Sequence, residues 1–154
     1  VSACVEAIGI ASAAGEPLRS IERVEAVAGR GLAGDRYASE QGEFSDRTSG
    51  ARDVTLIAAE ALAALRASGV ELSHLESRRN VLVRGVDVNA LVGRRFRIGA
   101  VECVGRELSD PCTYLEGLTR PGVLRGLVHQ GGLRAGIVVG GILAVGDEVA
   151  QLPD

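Results

Sequence analysis

Lysine is absent from the 154-residue sequence; all 17 basic residues are arginine. Two kinds of chemistry go with it. A pyridoxal-phosphate enzyme needs a lysine for its Schiff base and a Walker A loop needs its Gly-Lys pair, so this chain can supply neither. A GC-rich coding bias would account for the exchange of lysine for arginine, and the exclusion holds whatever its origin. Aromatic residues are also scarce, at 3% with no tryptophan. That argues against the stacking platforms that hold single-stranded nucleic acid, and a net charge of −3 argues against a broad phosphate-binding face. Nucleic acid is therefore not an expected partner. Cys4, Cys103 and Cys112 are odd in number and lack C-x-x-C spacing, and His74 and His129 form no H-x-x-x-H pair. Neither zinc nor a disulfide framework is expected. No apolar run approaches the ~18 residues of a membrane span, and no basic stretch precedes an apolar one near residue 1. No membrane association is expected, and a reducing cytoplasm is the default location.

What is present is apolar content of 46%, enough for the core of one domain over residues 1–154, and 21 glycines. Turn signals recur about every ten residues between short Val/Ile/Leu-rich runs, which predicts a mainly β protein with short helices, an α+β fold. Strands are predicted at Val1 to Ala11 and Ile21 to Ala28, followed by a long polar loop from Gly29 to Arg52 that is too polar for the core. A strand at Asp53 to Ile57 runs into an Ala/Leu-rich helix at Ala58 to Ala67, closed by Ser68-Gly69. Next come a strand at Asn80 to Arg84, a short helix or turn at Val88 to Val92, and a hairpin of Arg95 to Ile98 with Val101 to Glu107. Ser109-Asp110-Pro111 predicts a helix start running through Leu118, and Arg120-Pro121-Gly122 a second running through His129. Strands at Ala135 to Val139, Ile142 to Val145 and Glu148 to Leu152 close the chain.

Three constellations could carry chemistry. Cys112 follows Pro111 in the first turn of a predicted helix, where unpaired N–H groups and the positive dipole end favour a thiolate; Asp110 opposes this unless its charge is taken up by capping. A thiolate serves as nucleophile, sulfur carrier or soft metal ligand, while a buried structural thiol is the alternative. Cys4 and Cys103 lie on predicted strands and read as packing. Gly29-Arg30-Gly31-Leu32-Ala33-Gly34 matches G-x-G-x-x-G, but the polar, turn-rich stretch after it is not the helix a dinucleotide needs, so the glycines read as a turn bringing Asp35 and Arg36 to a pocket edge. Arg36, the Arg78-Arg79-Asn80 triplet and Arg134 could converge on an anion through guanidinium forks; singly, each is a solvated charge.

Taken in order, the motifs resemble those of the molybdenum-cofactor sulfurase C-terminal (MOSC) domain family. They are Gly31-Leu-Ala-Gly34-Asp35-Arg36, Asp53-Val-Thr-Leu-Ile57 before Glu60-Ala-Leu62, and Arg78-Arg79-Asn80-Val81, then Leu91-Val-Gly93 and Phe96-Arg-Ile-Gly99. Pro111-Cys112 with Tyr114-Leu115-Glu116 follows, then Gly131-Gly132-Leu-Arg134-Ala135 and Gly140-Gly141-Ile142 with Gly146-Asp147. The resemblance implies a compact β-barrel of the MOSC type. It also implies a molybdenum cofactor (molybdopterin), with a cysteine that either ligates the metal or carries sulfur for it, a role that falls to Cys112. Arg36, Arg78, Asn80 and Arg134 would hold the cofactor's phosphate or pterin, with Asp53 and Thr55 as further candidates at a strand end. Longer relatives add a pyridoxal-phosphate desulfurase domain or an N-terminal barrel; these residues include neither, so the resemblance implies a stand-alone copy served by an electron-donor or sulfur-donor protein in trans. Tyr37 stands where many relatives have histidine, which leaves His129 as a proton donor or as a surface residue at a helix end. Three readings stay open. One is an oxidoreductase that reduces an N-oxygenated or similar small-molecule substrate, another a sulfur carrier with a Cys112 persulfide, and the third a non-catalytic barrel that binds an anion or a partner protein.

Overall fold

The structure is a computed structural model that describes residues 3–13, 15–36, 53–109 and 113–153. The chain runs as strands β1 (Cys4–Ile10), β2 (Arg19–Ile21), β3 (Arg23–Val27), β4 (Gly31–Leu32) and β5 (Val54–Ala58), then helices α1 (Ala59–Ala67) and α2 (His74–Ser77). It continues with β6 (Val81–Arg84), a 3₁₀ turn at Val88–Leu91, β7 (Arg95–Ile98), β8 (Val101–Leu108), helices α3 (Thr113–Leu118) and α4 (Val123–Gly126), and the strands β9 (Leu133–Val139), β10 (Gly141–Ala144) and β11 (Val149–Gln151). The fold is mainly β with few short helices, as the spacing of the apolar runs predicts.

Eight strands form one sheet in the order β11-β7-β8-β9-β5-β6-β1-β2, and β10-β3-β4 form a second. β5 sits in the middle because all five of its residues, Val-Thr-Leu-Ile-Ala, are buried. It pairs antiparallel with β9 and parallel with β6, and a parallel pair needs a crossover, which α1 and α2 provide. The period-two alternation of β5 then divides the interior. Val54, Leu56 and Ala58 join the core shared with Ile8, Leu32, Val81, Phe96 and Leu133. Ile57 turns the other way, onto Leu62, Leu65, Leu115, Val123 and Leu127 of the helical segments. β11, at one end of the sheet, approaches the start of β1, the strand next to the other end: Val149 N–H donates to Ala3 O, Val5 N–H to Asp147 O and Gly146 N–H to Val5 O, and Cys4 makes a single antiparallel bridge to Glu148.

Most predicted elements are found within a residue or two. Three expectations need correction. The strand predicted over residues 21–28 is two strands, because the chain changes sheets at Glu22: β2 pairs with β1, and β3 with β10. The segment from Gly29 is not wholly outside the core: Leu32, Asp35 and Arg36 are buried, the last two because they satisfy each other and nearby backbone. The helix predicted from Arg120 to His129 shrinks to α4, since Gly122 takes φ 99° and forms a turn in place of a first helical residue. α2 was not predicted, although Ser73-His-Leu-Glu76 is a capping box, with Ser73 Oγ accepting from Glu76 N–H and Glu76 accepting from Ser73 N–H.

Candidate functional site

The cross-strand register brings several predicted site residues into one row. Arg134 on β9 faces Glu107 on β8 on one side and Thr55 on β5 on the other. Thr55 then meets Asn80, at the foot of β6, whose partner beyond is Gly9 of β1. Directly paired residues share a face of the sheet, and Thr55 is two residues from Ile57, so this is the face that carries the helices.

Asn80 is fully buried and its amide is heavily committed. Its Oδ1 accepts from Thr55 N–H and from Thr55 Oγ1, each at 3.1 Å, and its Nδ2 donates to Gly9 O at 3.1 Å. Its own N–H donates to Thr55 Oγ1 at 2.9 Å, and Gly9 N–H donates to Asn80 O at 2.7 Å. The pair thus stitches β1, β5 and β6 together at the row. Asp53, buried just before β5, accepts from Ile137 N–H at 3.0 Å and so ties the β5 start to β9. Arg134 donates to Glu107 Oε1 at 3.1 Å across the β8–β9 ladder, with its side chain 22% exposed.

The early glycine turn delivers Asp35 and Arg36 inward, in place of the pocket edge predicted for them. Asp35 Oδ1 accepts from Ala11 N–H at 3.0 Å and from Arg36 Nη1 at 3.1 Å, and Arg36 Nη2 donates to Arg78 O at 2.9 Å. Arg36 is 4% exposed, so it positions the backbone of the Arg78–Asn80 segment. Arg78 takes a left-handed φ of 62° at the end of α2 and donates from Nη1 to Glu16 O at 2.7 Å, at the surface. Arg78 also lines a cleft of about 220 Å³ with Pro17, Leu18, Leu75, Glu76 and Thr119. On its rim Arg120 pairs with Glu76 at 2.5 Å, and hydrogen bonding from Arg120 is the main reason the Glu76 carboxyl is held down to about 2.

Arg79, between the two predicted residues, has the longest reach. Its Nε donates to Gly131 O at 2.8 Å and its Nη2 to Ser109 O at 2.9 Å, which places it at the two ends of the segment between β8 and β9. Sequence reasoning noted it only within its triplet, because nothing local tells which arginine of two neighbours points inward. His74 stands behind it, with Nε2 2.8 Å from Arg79 O. Burial holds the His74 pKa below its ordinary value against the opposing pull of the backbone carbonyls.

Cys112, Asp110, Pro111 and Tyr37 lie outside the described residues. The other two cysteines differ from one another. Cys103 is buried on β8, and burial, then the charges of Asp53 and Glu102, push its thiol up to about 12. It is a packing residue, as its strand context predicts. Cys4 is half-buried, with its sulfur accepting from Arg84 Nε at 3.3 Å. His129 is exposed at φ 62°, and its carbonyl accepts from Asn89 Nδ2. Among the described residues no three His, Cys, Asp or Glu side chains come together as a metal site.

An eight-stranded mixed sheet with a polar row of Arg134, Thr55 and Asn80 across its central strands β9, β5 and β6, on the helical face, defines a mainly β protein. A sequence model of the MOSC domain matches residues 33–150, and the chain belongs to the MOSC domain family, which is associated with molybdenum-cofactor binding. Among solved structures it is similar to the YuaD protein from Bacillus subtilis, with a TM-score of 0.80 and 17% identity over 97% of this chain and 94% of that one. YiiM from Escherichia coli is similar with a TM-score of 0.71 and 12% identity over 100% of this chain and 71% of that one. YiiM from Geobacillus stearothermophilus is similar with a TM-score of 0.72 and 10% identity over 98% and 75%. At these identities the likeness concerns the fold. No curated protein matches the chain. No helix among the described residues is long and apolar enough to cross a membrane.

Proposed function

We propose that the protein binds a molybdenum cofactor through Cys112 and reduces an N-oxygenated or similarly reducible small molecule. The observation that carries this reading is membership of the MOSC domain family over a span that includes Cys112. The donor set fits such a group in a particular way. Arg78 and Arg134 reach the surface on the helical side and offer guanidinium forks to a phosphate, for which Arg134 would exchange its Glu107 carboxylate. Asn80 and Thr55 spend their polar atoms on each other and on Gly9, so their part is to hold the strand ends beneath the cofactor rather than to grip it. Asp53 and Arg36 act likewise through backbone contacts. When bound, the cofactor supplies a redox centre for two-electron chemistry. Cys112 as thiolate is a soft ligand suited to it. Reduction of an N-hydroxyl breaks the N–O bond, consumes two electrons and two protons and releases water; the electrons come from a donor protein in trans.

Protein produced in cofactor-producing cells is expected to carry near-stoichiometric molybdenum and pterin, and Cys112→Ser to lose the metal. Wild-type protein free of both under those conditions ends the proposal. A one-sulfur adduct on Cys112 after incubation with a cysteine desulfurase, without bound molybdenum, would assign it instead to sulfur transfer.

We also infer a single domain whose large sheet closes as a barrel, supported by the hydrogen bonds that join residues 3–5 to residues 146–149. We infer a reducing, cytoplasmic setting, in which Cys112 would stay available as the thiolate this reading requires.

A further inference from the structure

The crevice outside the carboxyl ends of parallel strands is where open α/β sheets bind ligands, and the parallel pair β5–β6 has one. Ala58 ends β5, Gly85 follows β6, and both line a cleft of about 390 Å³, within the size range of small-molecule sites. Ala61 and Ala64 of α1 continue its apolar floor, facing Val86 and Val88 of the loop after β6. From α4 only Gly126 lines it, packed against Leu65 with no room for a Cβ, so that wall carries no side chain. The cleft is distinct from the polar row of Arg134, Thr55 and Asn80. Ala58 lies three residues along β5 from Thr55, and Gly85 five residues beyond Asn80, about 10 and 16 Å at the rise of a strand.

Its charges have one sign. Glu60 and Asp87 line the cleft together with Gln130, and no basic side chain does so among the described residues. Glu60 Oε2 accepts from Gly85 N–H at 2.9 Å and Asp87 Oδ1 from Asn89 N–H at 3.1 Å. Each bond fixes a carboxylate and uses one of its two oxygens. Gly85 and Asp87 are two peptide steps apart, at most about 7 Å, so one small ligand can reach both carboxylates. Arg84, next to Gly85, is engaged elsewhere, 3.6 Å from Glu6 and donating to Cys4 Sγ at 3.3 Å. The start of α1 contributes about half a positive charge, less than the two carboxylates set against it. Asn89, next to Val88, donates from Nδ2 to His129 O at 2.7 Å, while its Oδ1 is buried with no hydrogen-bond partner among the described residues. The surroundings are thus rich in acceptors and short of donors.

We propose that this cleft binds a small organic cation, an alkyl amine or alkyl guanidinium. Its N–H groups donate to Glu60, Asp87 and the Gln130 side-chain carbonyl, and its alkyl body lies over the alanines. The site is independent of Cys112 and of any cofactor. Both carboxylates are exposed, so solvent screens them and the binding is of the order of millimolar.

Backbone amide NMR shifts of the full chain, followed during titration with 1,4-diaminobutane and with butylguanidinium at low ionic strength, test this. The probes are expected to shift the Gly85 and Gly126 amides saturably, and less so in high salt; saturation by one probe alone supports the site and names its head group. Glu60→Gln and Asp87→Asn keep the acceptors for Gly85 N–H and Asn89 N–H, so both should fold, and each should weaken binding by about fivefold, the equivalent of one exposed charge pair. Ala64→Leu fills the cleft from an exposed helix position without changing a charge, and should abolish the shifts. Absence of saturation by either probe up to about 50 mM, far above the expected affinity, overturns the proposal. So do shifts that persist unchanged in the two charge variants. The same shifts with magnesium ions at equal concentration mark a solvated acidic surface, and the same shifts with butyrate mark the start of α1 as the binder; either result also overturns it.

Discussion

Replacing Asn80 by alanine should be among the most costly single substitutions in this protein, and the cost can be worked from its partners. The change removes the acceptor for Thr55 N–H and Thr55 Oγ1 and the donor to Gly9 O. Thr55 can rotate its hydroxyl and still accept from the residue 80 N–H, so that bond survives. Thr55 N–H and Gly9 C=O are left buried without the partner they had. At about 1–3 kcal/mol for each stranded group, the loss is about 4 kcal/mol, against a total stability of about 5–15 kcal/mol for a domain of this size. Urea unfolding followed by far-UV circular dichroism reads this as a lower midpoint at an unchanged slope. Thr55→Val removes only the hydroxyl and should cost about 1–3 kcal/mol. Because the two share their bonds, the double variant should lose at least about 1 kcal/mol less than the sum of the singles. An Asn80→Ala cost below about 1 kcal/mol, or strict additivity with Thr55→Val, would refute the view that this pair stitches β1, β5 and β6.

Other outcomes follow from the same geometry. Gly132 holds φ 109°, and a Cβ there would lie 2.1 Å from Leu56 O, so Gly132→Ala should cost more than about 3 kcal/mol or abolish soluble expression; thermal melts measure it. Glu76 is held down to about 2, chiefly by Arg120, so the unfolded chain takes up its proton at higher pH than the folded one. The stability this contributes is present above about pH 4.3 and lost as pH falls towards 2. With both side chains more than a third exposed, Glu76→Gln should cost no more than about 1 kcal/mol at pH 7, the difference vanishing near pH 2 and shrinking in high salt. Cys103, its thiol pushed up to about 12 by burial, should resist iodoacetamide at pH 8 in the native protein and react in urea, as peptide mass spectrometry will show.

Much of the fold was legible locally. The Val/Leu/Ile-rich stretch at Asp53–Ile57 reads as a strand, the Ala/Leu-rich stretch after it as a helix, and the Gly99-Ala100 hairpin as a tight turn, because each signal lies within one element. The misreadings arise where the partner is remote. Asp35 and Arg36 read as residues brought to a pocket edge by a polar loop, yet Ala11 N–H and Arg78 O, 24 and 42 residues away, make their burial tolerable. The capping box at Ser73–Glu76 was a local signal that could have been used. Arg79 offered none.

The residue list alone determined that the chain has no lysine for chemistry that requires one and that short strands dominate, since composition and periodicity are properties of the chain itself, and its motifs carry the resemblance to the MOSC family. Only the tertiary structure decided what the polar residues do. The parallel pairing of β5 with β6 sets Thr55 beside Asn80, 25 residues on, and makes the pair a stitch between strands. The same registry sends Arg79, not Arg78, across the root of the β8–β9 segment, 30 residues away at Ser109 and 52 at Gly131. Hydrogen bonds act over about 3 Å, and sheet order, which no local pattern encodes, determines which residues come within that distance.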